Sequence, residues 1–303
     1  MGVSRTTGFS NLLAPGLHDI FFNQYNQWPD EYSQIFNVTS SNRAYEEDAE
    51  VAGLGKLVSK GEGVSVTYDD PMQSTNKQRY THAAFGLGFR VTEELYADDL
   101  YGIIKKMPSS LARSAKQTTE VEAWSVLNNA FNAAKTGLDG VALCSTTHPN
   151  IKLVGGPYSN RLATDADLSV TSLQAAIEQM ENTTDDRDMN IMLKPKRLII
   201  TPSNKWMARE LLNSEKKPHT ADNEINALMD EDLQYFVGHY LTDSDAWFLV
   251  TDKADHHLNF FWRKRVGFDN SDDFDSGDAK FKATMRFSVG FSGWRGIIGT
   301  PGA

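Results

Sequence analysis

The sequence predicts an α+β protein, and three patterns carry that prediction. Phe281, Ala283, Met285, Phe287, Val289 and Phe291 alternate with Lys282, Thr284, Arg286, Ser288 and Gly290, which reads as a half-buried strand of an antiparallel sheet. Tyr96, Leu100, Ile103, Ile104 and Met107 fall on one face of a helix. Val64, Val66 and Tyr68, then Phe85, Leu87, Phe89 and Val91, alternate with polar or small residues on either side of a turn-rich segment. With 303 residues, 40% of them hydrophobic and 11% aromatic, the chain can bury a substantial core.

Taken in order, residues 1 to about 45 read as an irregular arm. Pro15, Gly16 and Pro29 punctuate it, yet Phe9, Phe21, Phe22, Tyr25, Trp28 and Tyr32 give it too many aromatics for a disordered tail. It is expected to lie along its own body or a neighbour. Residues 46 to 91 read as a long β-hairpin whose polar tip holds Asp69, Asp70, Pro71, Ser74, Asn76 and Lys77. Such a hairpin has little of its own to pack on, so Tyr68, Asp69, Asp70, Lys77 and Arg79 are expected to meet another chain.

A helical region is expected from 92 to about 136. Thr92 can cap it, Glu93 and Glu94 suit its positive end, Pro108 kinks or restarts it, and Gly137 ends it. If straight, it would span about 60 Å. Its expected core residues are Leu100, Ile103, Ile104, Leu127 and Phe131. Beyond it, Val170, Leu173, Ile177 and Met180 mark a further helix. Leu198 to Ile200 form a short buried strand, Ser203 is placed to cap a helix running to about Leu212, and 246–250 and 258–262 are apolar runs of strand length.

Charge and motifs exclude more than they suggest. The net charge of −10 disfavours tight binding to nucleic acid duplexes, and the clusters Lys194, Lys196, Arg197 and Arg263, Lys264, Arg265 read as solvated faces or subunit contacts. Cys144 is the only cysteine, which forbids an intrachain disulfide and suits a reducing cytosol. The first residues lack the apolar run of a signal peptide, and no stretch approaches the roughly 20 apolar residues that span a bilayer. No phosphate-binding glycine loop is present, and Gly290-Phe-Ser292-Gly293 misses the register of a nucleophile elbow. Cys144 with His148 shows no orienting carboxylate in its loop. Adjacent His256 and His257, near Asp252 and Asp255, would point to opposite faces of a strand. The run Asp269, Asp272, Asp273, Asp275, Asp278 fails the EF-hand order, because Phe274 occupies a ligand position. The residues therefore predict no catalytic site, metal or cofactor, and point to interaction surfaces instead.

Four segments carry a resemblance: Glu93-Glu-Leu-Tyr-Ala-Asp-Asp-Leu-Tyr-Gly102 through Leu127-Asn-Asn-Ala-Phe131, Asp139-Gly-Val-Ala-Leu-Cys-Ser-Thr-Thr-His148-Pro, Leu193-Lys-Pro-Lys-Arg-Leu-Ile-Ile-Thr-Pro202, and Arg286-Phe-Ser-Val-Gly-Phe-Ser-Gly-Trp-Arg-Gly296. Together with the order of elements, they resemble the major head subunits of Mu-like tailed phages, with the Hong Kong 97-like capsid fold. The resemblance implies an N-terminal arm at 1–45, an extended loop at 46–91, and a peripheral domain at 92–164 holding a spine helix. An axial α/β domain follows at 165–265, and 266–303 return to the peripheral domain with the closing strand. It further implies self-assembly as pentamers and hexamers into an icosahedral shell around DNA, made and assembled in the host cytoplasm and carried in the virion. The implied partners are a portal, a decoration protein and weak, nonspecific contact with packaged DNA, with no membrane. The short arm has no charged heptads, so any scaffold is expected to be a separate protein. The alternative is an encapsulin-like shell of the same fold, cellular and enclosing cargo enzymes. A hydrolase with an unrecognised acidic site would need convergent carboxylates in a pocket, and a mostly β tail-tube protein or adhesin would lack the long helix.

Overall fold

The computed structural model describes residues 9–73, 76–92, 94–95, 98, 102–150, 157–216, 225–273 and 278–303. Two helices and a strand stand where an irregular arm is expected: α1 (Phe9–Gln27), α2 (Tyr32–Ile35) and β1 (Asn37–Ser40). Pro15 and Gly16 mislead because α1 runs through them, and tertiary packing of Leu17 and Phe21 outweighs their weak propensity. The loop stem follows as β2 (Tyr45–Asp48), β3 (Val51–Ala52), β4 (Met72–Gln73) and β5 (Gln78–Thr81), with β2 pairing β5 and β3 pairing β4.

The expected hairpin is corrected at both arms. Val64 to Tyr68 form no strand, and β6 (Ala83–Val91) pairs with a strand almost two hundred residues later in the chain. Next comes α3 (Ile103–Asn128), which begins after Gly102 in the left-handed region (φ 64°) and ends eight residues earlier than expected. Its 26 residues span about 39 Å. Pro108 is buried inside it and neither ends nor restarts it.

The remaining elements are α4 (Val170–Glu181), β7 (Arg197–Ile200), α5 (Lys205–Asn213), β8 (Gln234–Val237), β9 (Trp247–Val250), β10 (Leu258–Asp272), β11 (Ala279–Phe291) and β12 (Ile297–Thr300). A reciprocal capping box, Ser169 with Ser172, starts α4. Ser203 does not cap α5, because a 3₁₀ turn over Pro202–Asn204 comes first and the side chain of Asn204 makes no capping bond.

Two four-stranded sheets organise the fold. The first runs β1-β10-β11-β6 and the second β12-β9-β7-β8. In the first, β10 and β6 are antiparallel to β11, and β1 is parallel to β10. The alternation along β11 buries Phe281, Ala283, Met285 and Phe287 beneath α1 and α3. Leu111, Ala115, Thr119, Ala123 and Leu127 supply the buried helical stripe from α3. In the second sheet, one face packs with α4 and α5 while Ile199, Phe248 and Val250 face the core shared with the first. Strand β12 pairs β9, so after β11 the chain passes from the first sheet to the second. Trp124 closes the seam between the sheets against Gly238, where a Cβ would lie 2.3 Å from the indole ring.

Candidate functional site

The search for chemistry ends in structural hydrogen bonds. Asn160 Nδ2 donates to the carbonyls of Leu143 and Ile297 at 2.7 and 3.1 Å, so its Oδ1 faces His148 Nε2 at 2.9 Å. Asp139 Oδ2 lies 2.6 Å from His148 Nδ1 and is the orienting carboxylate that local sequence did not reveal. Both ring nitrogens are thus taken up by oxygen partners, Asp139 Oδ2 and Asn160 Oδ1, and neither is left to activate a thiol. Burial pushes the Cys144 thiol up, the opposite of what a nucleophile needs. Burial lowers His256 to about 4, and its Nδ1 accepts from the Leu258 N–H at 3.3 Å. Among the described residues, no three His, Cys, Asp or Glu side chains converge as metal ligands. Asp275 lies outside the described residues, and Asp273 pairs with Lys280. Nor is any helix among the described residues long and apolar enough to cross a membrane.

The interaction surface is built on the loop stem. Arg79 donates to Glu47 Oε1 from Nε at 2.8 Å and from Nη2 at 2.5 Å, and its guanidinium lies 4.1 Å from the Tyr45 ring centroid. Arg295 clamps the stem to the turn after α4. Its Nη1 meets Glu50 Oε1 at 2.9 Å, its Nη2 meets Asp186 at 3.0 Å, and its Nε donates to the Thr184 carbonyl at 3.0 Å. Burial raises Glu50 above the ordinary carboxylate value, opposed by the Arg295 charge. A second clamp comes from Arg187, whose side chain is almost wholly buried. It meets Asp69 at 3.1 Å and donates to the Asp70 carbonyl at 2.7 Å, while Asp69 Oδ2 accepts from the Gly55 N–H at 2.9 Å.

These contacts redistribute the residues expected to meet another chain. Asp69, Asp70 and Arg79 bind within their own chain. Tyr68 is 88% exposed, and Lys77 is exposed beside the stem. The exposed tip is therefore the segment between Gly53 and Asp69, where Leu54, Leu57, Val58, Val64 and Val66 are all open to solvent. Sequence reading passed over the first three. The glycines at 53, 55, 61 and 63 that bracket them were the available signal.

The expected helix-core residues also divide. Ile104 and Leu127 are buried, in the clusters beneath the first sheet. Ile103 is 42% exposed and is no core residue, because helix α3 starts there and turns it outward. Phe131 lies beyond the end of α3, half-buried, stacked on Phe248 at 5.7 Å. Leu100 falls outside the described residues. Of the two basic clusters, Lys196 pairs with Asp232 at 2.6 Å and Arg197 Nη1 donates to the Gln34 carbonyl, while Arg263 to Arg265 sit at register shifts in β10.

The comparisons with known proteins bear on this geometry. No curated protein matches the chain. Among solved structures, the mature capsid of bacteriophage PhiM1 aligns with a TM-score of 0.59 at 10% identity, covering 90% of this chain and 87% of that one. Microbacterium phage Oxtober96 gives a TM-score of 0.57 at 10% identity, covering 90% and 91%. The capsid of bacteriophage JBD30 decorated with minor capsid protein trimers gives 0.57 at 15% identity, covering 71% and 92%. The sequence model described as "Phage capsid protein" matches residues 75–299, most of both sheets and all of α3, so the chain belongs to the phage capsid protein family and has the Hong Kong 97-like fold.

Proposed function

We infer that this chain is the major head subunit of a tailed phage, assembling as pentamers and hexamers into an icosahedral shell that encloses DNA and becomes part of the virion. The observation that carries this reading, beside family membership, is the clamped stem bearing an uncovered apolar tip, Leu54 to Val66. A subunit that worked alone would gain by burying that surface. In this reading, α3 is the spine of the peripheral part, and the second sheet with α4 and α5 forms the axial part. Assembly takes place in the host cytoplasm, with a portal and a separate scaffold protein. The JBD30 relative, decorated with minor capsid protein trimers, supports adding a decoration protein to the partners. Contact with packaged DNA is weak and nonspecific, in keeping with a net charge of −10.

The test is negative-stain microscopy of the purified chain, alone and co-expressed with its neighbouring head genes. Closed shells support the reading. A protein that stays monomeric in both settings overturns it.

A further inference from the structure

The chain between α1 and α2 passes over α3 and β10 and leaves a cavity of roughly 450 Å³ there, with Phe22, Tyr25, Trp28, Tyr32 and Trp262 in its walls. Register shifts interrupt β10 between Trp262 and Gly267. Arg265 therefore lines the cavity together with Trp262 and Val266, which strict alternation along a strand would forbid. Three cations stand at this cavity, each over an aromatic ring. Arg113 lies 5.5 Å from the Trp28 ring centroid, Lys116 5.0 Å from that of Tyr25, and Arg265 5.7 Å from that of Trp262. The wall holds one carboxylate against them, Asp30, so the cavity is cationic on a chain whose net charge is −10.

The polar groups of the wall are not all spent. Tyr32 is buried, and its hydroxyl accepts the Trp262 Nε1–H at 3.3 Å, while its own proton has no acceptor among the described residues. Lys116 takes Oδ1 of Asp30 and leaves Oδ2 without a partner among the described residues. Asn26 adds an exposed amide at the rim. A buried donor and an open acceptor facing one aromatic cavity are the polar handles of a small-ligand site.

We propose that this cavity binds a nucleoside phosphate, free or as one nucleotide of a single strand, with its base stacked among Tyr25, Trp28 and Trp262 and its phosphate held by Arg113 and Arg265. Aromatic walls suit a flat heteroaromatic ring, because every base has a face to stack. Both arginines are exposed at the open side, where the guanidinium fork matches paired phosphate oxygens. Asp30 decides between this ligand and an acidic peptide. Its open oxygen repels a second carboxylate but accepts an exocyclic amino N–H of adenine, cytosine or guanine. Thymine has no amino group and leaves that carboxylate unpaired, so it binds less well. Duplex DNA keeps its bases stacked and presents only phosphates, so it is not the ligand. Every part of the site lies within one copy, and the inference does not depend on shell formation.

Equilibrium dialysis of the unassembled full-length chain against deoxyadenosine monophosphate tests it. Saturable binding should appear at or below about 1 mM, with thymidine monophosphate about tenfold weaker or more. Inorganic phosphate at equal concentration should not displace the nucleotide. Trp28→Ala and Arg265→Ala should each weaken binding about fivefold or more. Both side chains are exposed, so both variants should melt like wild type. Tighter binding of a single-stranded oligodeoxyadenylate, with no competition from a duplex, supports the proposal and names a strand as the source. Affinity equal to that of the mononucleotide supports it and names the free nucleotide. No saturation by about 10 mM overturns it. So does displacement by phosphate or by polyglutamate at equal concentration, and so do folded variants that bind like wild type. Should a variant fail to fold, the two nucleotides compared on the wild-type chain decide alone, and equal binding overturns the proposal.

Discussion

Glu120 in the middle of α3 caps the N-terminus of α2, eighty-eight residues earlier: its Oε2 accepts the Tyr32 N–H at 3.0 Å, and its Oε1 accepts the Glu31 N–H at 2.8 Å. Trp124 Nε1 adds a third donor at 3.2 Å, and one turn earlier on α3 Lys116 pairs with Asp30. One short stretch of α3 thus fastens the N-terminal segment to the body. Replacing Glu120 with Ala strands these buried donors and should cost about 1–3 kcal/mol in denaturant melts.

The same carboxyl sets a pH dependence. Burial raises Glu120 from its ordinary 4.5 to about 7, against the N–H donors of Glu31 and Tyr32, which hold it down. The native state therefore keeps its proton to higher pH than the unfolded chain does. Its contribution to stability is fully present below about 4.5 and is lost as pH rises through 7. Melts of the unassembled subunit between pH 4.5 and 8 should show this decline, and Glu120→Gln should flatten it. An unchanged slope in the variant would assign the decline to other groups.

Leu127 and Ile103 should separate sharply. Leu127 is 1% exposed, in the core between the sheets, so Leu127→Ala should cost about 2–5 kcal/mol. Ile103 is largely in solvent at the start of α3, so Ile103→Ala should cost under about 1 kcal/mol. Equal costs by denaturant melting would contradict this division of the helix face.

These residues show where the fold was legible. Strand β11 could be read from sequence because its two faces see different surroundings, core on one side and solvent on the other. Helix α4 could be read from a clean apolar face. Strand β6 was attached to the wrong partner because period two identifies a strand and says nothing of which strand completes it. Strand β12 escaped notice because four buried residues, Ile297 to Thr300, are too short to show a period. The surface was the least legible part. Asp69 and Asp70 look like solvent-facing tip residues until Arg187, over a hundred residues away, is seen to hold them.

That clamp predicts how the loop is controlled. Arg295→Ala releases Glu50, Asp186 and the Thr184 carbonyl together, and Arg187→Ala releases Asp69 and Asp70. Trypsin should then cut faster after Lys56 and Lys60 while the core digests at its usual rate. Unchanged cleavage would mean that the β2–β5 and β3–β4 pairs hold the stem without the arginines.

Excising the tip separates folding from assembly. Residues 69–78 reach into β4 and β5 and carry the Arg187 contacts, so their deletion would damage the stem. Replacing 56–67 with a short Gly-Ser turn keeps the Gly55–Asp69 contact. The variant should melt like wild type and form no shells. Normal shells from it would show that the apolar tip is dispensable.

Finally, the shell should be noncovalent. Joining chains through a lysine requires an amine in an apolar, desolvating site, because only the neutral amine attacks. Lys56, Lys60 and Lys77 are the lysines placed on the loop and stem to serve as donors, and all three are exposed. Burial of the tip against a neighbour would cover Val64 and Val66. Lys60 is followed by Gly61 and Glu62, polar neighbours that supply no apolar pocket. Arg286 to Ala303 contain neither asparagine nor glutamate, so that stretch offers no acceptor. Apolar burial and ion pairs are left to hold the particle, reinforced where a decoration protein binds. A denaturing gel of mature particles, boiled with reductant, should show one band at 33.8 kDa. A ladder of higher oligomers surviving that treatment would reveal a covalent bond, and mass spectrometry of the ladder would locate it.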